Sequence, residues 1–405
     1  MASAFDVAAA RTRFPALHQK QVFFDNAGGS QVLEEVIDSI RDYLSKSNVQ
    51  LGASYQVGEQ SSAAYKAGYA AAAKYVNAGT DEIVLGASTT QLFRNLSYAL
   101  APSFSPDSEL ILSKLDHEAN IAPWVSLAER HHLAIKWWVP SAVSNNPKLE
   151  PADLKALMTP RTRFVACTHT SNILGSITDI RAIADVVHAV EGALLCVDGV
   201  AYAPHRQPDV KALDVDFYSF SWYKVYGPHI SQLYASPRAR PLLTSLGHHF
   251  NPSTTLADKL ALAASTYELT ASIPTLTSYF GPDPQRWWRG IAAHEESLAG
   301  VLLAYLGSRK DVTVFGEPTA DSAKRVPTVS FVVEGWTPQE LVETTEQRSA
   351  FGFRWGAFYS NRLVEEVFGR GAQGIVRVSM VHYNTVGEIE LFVNTLAEVL
   401  GAAKS

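Results

Sequence analysis

Two charged residues in this sequence stand where charge is expensive. Lys224 closes the strand-like run Asp216-Phe217-Tyr218-Ser219-Phe220-Ser221-Trp222-Tyr223-Lys224, and the turn signal Gly227-Pro228 comes soon after. Asp198 closes Ala193-Leu194-Leu195-Cys196-Val197, 26 residues earlier. A buried lysine is costly unless it is neutral or covalently used. A half-buried carboxylate needs a partner. The ordered pair suits pyridoxal 5'-phosphate: the lysine would hold the aldehyde as a Schiff base, and the aspartate would keep the pyridine nitrogen protonated.

Other candidates also follow strand-like runs. Ser88-Thr89-Thr90 opens a helix, where free backbone N–H groups and hydroxyls make a phosphate seat or a plain cap. His117, in Asp116-His117-Glu118, could stack on a cofactor ring and pass protons, or be an ordinary loop histidine. Asn172, three residues before Gly175, could donate to the ring's phenolic oxygen or simply shape a turn. Ser221 could add a phosphate contact. Arg377 interrupts the apolar run Ile375-Val376-Arg377-Val378. It is suited to clamping a substrate carboxylate through two hydrogen bonds, or to a structural ion pair.

The elements that must position these groups alternate. Strands are expected at 22–24, 82–86, 109–112, 134–139, 162–168, 193–197, 216–220 and 230–235. Helices are expected at 32–44, 60–75, 88–100, 119–131, 151–158 and 180–188. This alternation predicts an α/β fold with a mostly parallel, doubly wound sheet, whose ligands bind at the carboxyl ends of the strands. Helices at 258–267 and 287–307 lead to strands at 312–315, 328–333, 351–355 and 374–380, with helices from 338 and from 386. That pattern fits a smaller α+β domain. Pro274, Gly281, Pro282 and Pro284 mark the boundary. The expected division is an arm at 1–20 packing on the small domain, a large cofactor-binding domain at 21–275 and a small domain at 276–405.

The 405 residues allow two substantial cores. A net charge of −6 gives no reason to expect nucleic acid or an anionic membrane as partner. Neither a long apolar run nor a signal core is visible, so the cytoplasm is the expected location. The two cysteines, Cys167 and Cys196, lie in apolar runs and read as small buried hydrophobes. They make no metal spacing, and no metal is expected.

The ordered motifs resemble a fold-type-I pyridoxal phosphate enzyme of the class V aminotransferase group, near the cysteine desulfurase branch. Asp216 to Pro228 is similar to the desulfurase pattern D-F-Y-x-F-S-x-x-K-x-Y-G-P. Asp116 to Trp124, Ser171 to Gly175, Val197-Asp198-Gly199 and Arg377 with Tyr383-Asn384-Thr385 are similar too. The resemblance implies a catalytic set of Lys224, Asp198 and His117. It implies a cofactor seat of Thr89, Thr90, His117, Asn172, Asp198, Ser221, Tyr223 and Lys224, with Ser272 reaching the partner's phosphate. Arg377, Asn26, Tyr359 and Trp355 would meet the substrate. It also implies a homodimer with sites at the subunit interface.

The departures bear on the reaction. Desulfurases carry a nucleophilic cysteine on the loop before the arginine strand; here that loop reads Trp355-Gly356-Ala357-Phe358-Tyr359-Ser360. The residue before the lysine, usually histidine, is Tyr223, and the usual glutamine after the aspartate is Ala201. Trp222, Tyr223, Trp355, Phe358 and Tyr359 are candidates for the pocket wall or for core packing. Phe24 to Gln31 and Asn48 to Tyr55 resemble fungal enzymes of the loline-alkaloid type. The expectation is an enzyme that forms an external aldimine and quinonoid on an amino acid-derived substrate. Carbon–carbon bond formation, cyclisation or elimination would follow. The alternatives are a class V aminotransferase and a C–S lyase acting on a cysteine conjugate.

Overall fold

The computed structural model describes residues 5–141 and 144–401. Its strands, in chain order, are β1 Val22–Phe23, β2 Ile83–Gly86, β3 Glu109–Ser113, β4 Ala134–Trp138, β5 Thr162–Thr168, β6 Leu194–Asp198 and β7 Phe217–Ser221. They continue with β8 Ser231–Ala235, β9 Val312–Phe315, β10 Thr328–Val333, β11 Phe351–Gly352, β12 Arg354–Gly356 and β13 Ile375–Ser379.

Seven strands form the large sheet, in the order β2-β8-β7-β6-β5-β3-β4. Only β8 runs against its neighbours. Strands β3, β6, β7 and β8 are buried along their whole length. This is what helices on both faces require, and it explains their near-continuous apolar sequences. Alternate residues feed two cores. Val165, Cys167, Leu195 and Val197 join one; Phe164, Ala166, Leu194 and Cys196 join the other. Because the strands are parallel, their carboxyl ends open toward one edge, and the candidate residues gather there.

A second sheet has the antiparallel order β12-β13-β10-β9. It packs with the helices Pro284–Ser308 and Val386–Gly401 around Val329, Phe331, Val376 and Phe392. The first of these helices starts three residues before the expected 287, with Asp283 capping and Pro284 at its first position. It contributes Trp288 and Ile291 to the large core, then Leu298 to Leu306 to the small one.

The N-terminal segment crosses between the two units. Strand β1, placed with the large domain on sequence grounds, pairs in parallel with β11, and Phe24 packs in the small core. In the arm, Arg11 pairs with Glu388, while Phe14 stacks edge-on against Tyr226 and Tyr279. Two sequence expectations need correction. The helix expected at 258–267 is instead Leu256–Leu260, a break, and Tyr267–Ala271. The strand expected at 351–355 is split: β11 pairs with β1, and β12 pairs with β13.

Candidate active site

Asp198 is the last residue of β6, and Lys224 follows β7 by one 3-10 turn, Trp222–Lys224. The two strands are neighbours, so both side chains reach one pocket. Ser88, Thr89, Thr90, His117, Thr168, Thr170, Asn172, Ala201, Ser221 and Tyr223 also line it. Lys224 is 7% exposed and, among the described residues, has no ion pair. Burial pushes its amine down to about 8; Arg377 adds to this, while Asp198 and Asp25 oppose it. Asp198 is held by one hydrogen bond, from Val200 N–H to Oδ1 at 2.9 Å. Burial raises its carboxyl to about 6 against that bond and the charge of Lys224.

Thr89 begins the helix Thr89–Leu100, capped by Ser88. Its hydroxyl lies 3.0 Å from Ser221 Oγ, which lies 2.7 Å from Ser231 Oγ. Thr90 is exposed at the same helix end. Three hydroxyls and a helix N-terminus therefore converge. His117 Nδ1 accepts from Ala119 N–H at 3.0 Å, so the neutral ring carries its proton on Nε2. Burial, then Lys224 and Arg377, push its pKa down to about 3. Tyr223 stacks flat on His229, with ring centres 4.7 Å apart.

Across the pocket stands the small domain. Arg377 on β13 is 2% exposed. Its Nη2 donates to Asp25 Oδ1 at 2.7 Å and its Nη1 to Asn172 O at 3.2 Å. The guanidinium carbon lies 3.8 Å over the Phe358 ring centre. The loop before β13 is pinned to the large domain. Asn172 Nδ2 donates to Phe358 O, Ser360 Oγ donates to Asn172 Oδ1, and Glu118 N–H donates to Tyr359 O. Phe358 and Tyr359 both adopt the left-handed region, at φ 52° and 58°. For bulky residues this is strained. Tyr359 is 72% exposed, and its ring lies 5.3 Å from that of His117.

Several of the expected site residues are engaged within the chain itself. Ser272 is buried in its own chain, where its hydroxyl donates to Leu269 O at 2.8 Å. Asn26 donates to Phe23 O and Ser379 O and accepts from Tyr383 OH, so its amide ties the N-terminal segment to the small domain. Trp355 packs against the small core, because its neighbour Arg354 takes the other face of β12. Trp222 is buried core as well. Asn172, expected to face the ring oxygen, has its amide engaged by the 358–360 loop. Sequence reasoning missed Asp25 and Thr170. Asp25 follows β1 like any turn-forming acid, and nothing local marks its partner 352 residues away.

The pocket's chemistry fits a phosphorylated pyridine aldehyde. It holds a buried amine without an anion, a buried carboxylate with one hydrogen bond, and a hydroxyl cluster at a helix start. The buried Thr170 hydroxyl has no partner among the described residues. Both cysteines are fully buried, and burial raises their thiols well above the ordinary value, which disfavours the thiolate. Among the described residues no cluster of His, Cys, Asp and Glu could hold a metal, and no helix is long and apolar enough to cross a membrane.

The family model described as aminotransferase class-V matches residues 22–392. An aminotransferase-like protein, FGM3 of Gibberella zeae, is 56% identical over 98% of this chain and 99% of its own length. The cysteine desulfurase-like protein ustD of Aspergillus flavus is 40% identical over 98% and 91%. The crystal structure of the cysteine desulfurase CsdA of Escherichia coli superposes with a TM-score of 0.85 at 24% identity, covering 98% of this chain and 99% of that one. That likeness establishes the fold, type I of the pyridoxal phosphate enzymes. With a family match over most of its length and a pocket whose donors suit the cofactor, this chain belongs to the class V aminotransferase family of pyridoxal phosphate-dependent enzymes.

Proposed function

We propose that this enzyme acts at the α-carbon of an amino acid-derived substrate in specialised, alkaloid-like metabolism. The reaction is carbon–carbon bond formation, cyclisation or elimination, with no enzyme-bound persulfide. One observation carries the reading: a buried lysine without an anionic partner shares a pocket with a buried aspartate, beside a loop that bears Tyr359 in place of a thiol. The resemblance of two N-terminal stretches to the loline-type enzymes, and the fungal relatives, favour the metabolic setting.

When bound, pyridoxal phosphate supplies a sink for the charge that develops at the substrate's α-carbon. Lys224 would hold it through Nζ. With a pKa near 8, this amine has a substantial neutral fraction near neutral pH, as a nucleophile and then as the base at the α-carbon. Asp198 would hold the ring nitrogen, whose positive charge would favour the ionised carboxylate. Thr89, Thr90 and Ser221 would seat the phosphate, with Tyr223 beside them. His117, neutral and with its proton on Nε2, can pack against a ring without adding charge. Arg377 would take the substrate's carboxylate. Phe358, under Arg377, and Tyr359, beside His117, would flank the entrance.

A second reading, transamination, is favoured by the description of the most similar relative reported above. It needs a keto-acid co-substrate. A homodimer is part of the proposal. Leu242, Leu246, Phe250 and Leu262 are exposed within one stretch beside a cavity of about 890 Å³, larger than the catalytic pocket, that Tyr65 and Tyr69 line. Such a surface suits burial against a second copy. A cytoplasmic location completes the reading.

The test is an absorbance spectrum of the purified holoenzyme with a panel of amino acids in deuterated buffer, read with mass spectrometry. Deuterium at the α-carbon without keto-acid dependence supports the proposal. A change to the amine form of the cofactor that a keto acid reverses supports transamination. Pyruvate and thiol from a cysteine conjugate would mark a C–S lyase. A persulfide on the protein would overturn the exclusion of sulfur transfer.

A further inference from the structure

Arg354 and Arg377 stand directly opposite each other on β12 and β13. Side chains in such register share a face, and like charges there repel. The small core offers neither a counter-charge. Asp25 does, from the far end of the chain. Its Oδ1 lies 2.7 Å from Arg377 Nη2, and its Oδ2 lies 3.5 Å from Arg354 Nη1.

The acid is itself fixed. It forms a bridge with Ser379, Ala27 N–H donates to Ser379 Oγ at 2.9 Å, and Asp25 O accepts from Gly28 N–H. Gly28 gives it room: a Cβ there would lie 3.0 Å from Asp25 Oδ2. Both guanidinium groups approach the Phe358 ring, Arg377 at 3.8 Å and Arg354 at 5.5 Å from its centre. Arg377 Nε is buried and has no partner among the described residues. Two cations and one anion leave one positive charge over, which a single carboxylate would match.

We propose that Asp25 is a positioning residue for Arg377: bridged to Arg354, it holds the guanidinium over the Phe358 ring and leaves its donors on the pocket side unspent for a substrate's carboxylate. The inference rests on the proposed role of Arg377 as the carboxylate seat and deepens it. Asp25 acts through Arg377 and needs no contact with the substrate. Arg354, 57% exposed at its side chain, steadies the acid from the solvent side.

The test uses the holoenzyme, titrated with L-alanine and with ethylamine, which lacks the carboxylate; the readout is the cofactor's absorbance. Asp25→Asn keeps the shape and removes the charge. It should weaken L-alanine binding by about tenfold or more and leave ethylamine within about twofold. In turnover with any substrate the earlier screen finds, KM should rise more than kcat falls. Arg354→Gln, at an exposed position, should give a smaller loss of the same selectivity, and it keeps the test open if Asp25 variants fold poorly. Equal weakening of both probes, or none, overturns the positioning role. Arg377→Ala separates the two layers. If it leaves L-alanine binding unchanged, the carboxylate seat itself is wrong. If it alone is selective, only the role of Asp25 falls.

Discussion

On the large-sheet side of the pocket, Lys224 and Asp198 stand at the ends of adjoining, fully buried strands, and among the described residues their two side chains share a single hydrogen bond, from Val200 N–H to Asp198. On the small-domain side, Arg377 is bound by Asp25, Asn172 and the face of Phe358, and the loop beside it is strained and pinned at three points. The first wall leaves polar groups without partners among the described residues, on strands buried along their whole length. The second satisfies most of its polar groups internally and puts its variable residues on a loop. A constant ligand suits the first and a changing one the second. On the proposed function, one side would hold the cofactor and the other would select what reaches it.

If that division is right, the largest effects come from the large-sheet side. Lys224→Ala should lower α-proton exchange by at least about a thousandfold, since it removes both the attachment and the base. Exchange at an undiminished rate would dissolve the contrast between the walls. Asp198→Asn, nearly isosteric, should cost about a hundredfold or more in turnover while the fold persists by circular dichroism.

The third expectation concerns pH. Burial lowers the Lys224 amine to about 8 from its ordinary 10.5. Between those values the unfolded chain holds a proton that the folded chain has released, so this group makes stability rise with pH across that window. Denaturant titrations of the cofactor-free protein from pH 8 to 10 should show that slope, and Lys224→Met should flatten it. An unchanged slope would mean the amine is not desolvated. The smallest effect belongs to the loop. Tyr359→Gly should stabilise the protein by about 1 kcal/mol, because an exposed ring loses little burial while the left-handed backbone is relieved. Destabilisation would show that Tyr359 holds the entrance through its ring.

The same two walls differ in how much of them the sequence announces. Strands β5 and β9, and the helix Ile180–His188, begin and end where periodicity puts them. Strand ends are local signals, so Lys224, Asp198, Thr89 and His117 could be singled out before any coordinates. The helix expected through 267 stops at Leu260 for a reason that propensity does not contain. The alanine-rich continuation has no core to cover, leaving Leu262 half exposed and Ala264 at φ 58°. The split between β11 and β12 is likewise hidden, because each half finds a different partner strand. Asp25 was invisible for the plainest reason: its value depends on a residue 352 positions away.

The parallel pairing of β1 with β11 sets a clock during synthesis. A ribosome adding roughly 5–20 residues per second makes Asp25 and Asn26 about 20–70 seconds before their partners on β13 emerge. The seven-stranded sheet, complete by Ala235, can collapse in that interval with its strand-end pocket already shaped. The N-terminal segment has no strand partner until β11 is made, and Asp25 has none until β13 follows. A chain released early, anywhere before Ile375, would carry the large-sheet side of the pocket without Arg377.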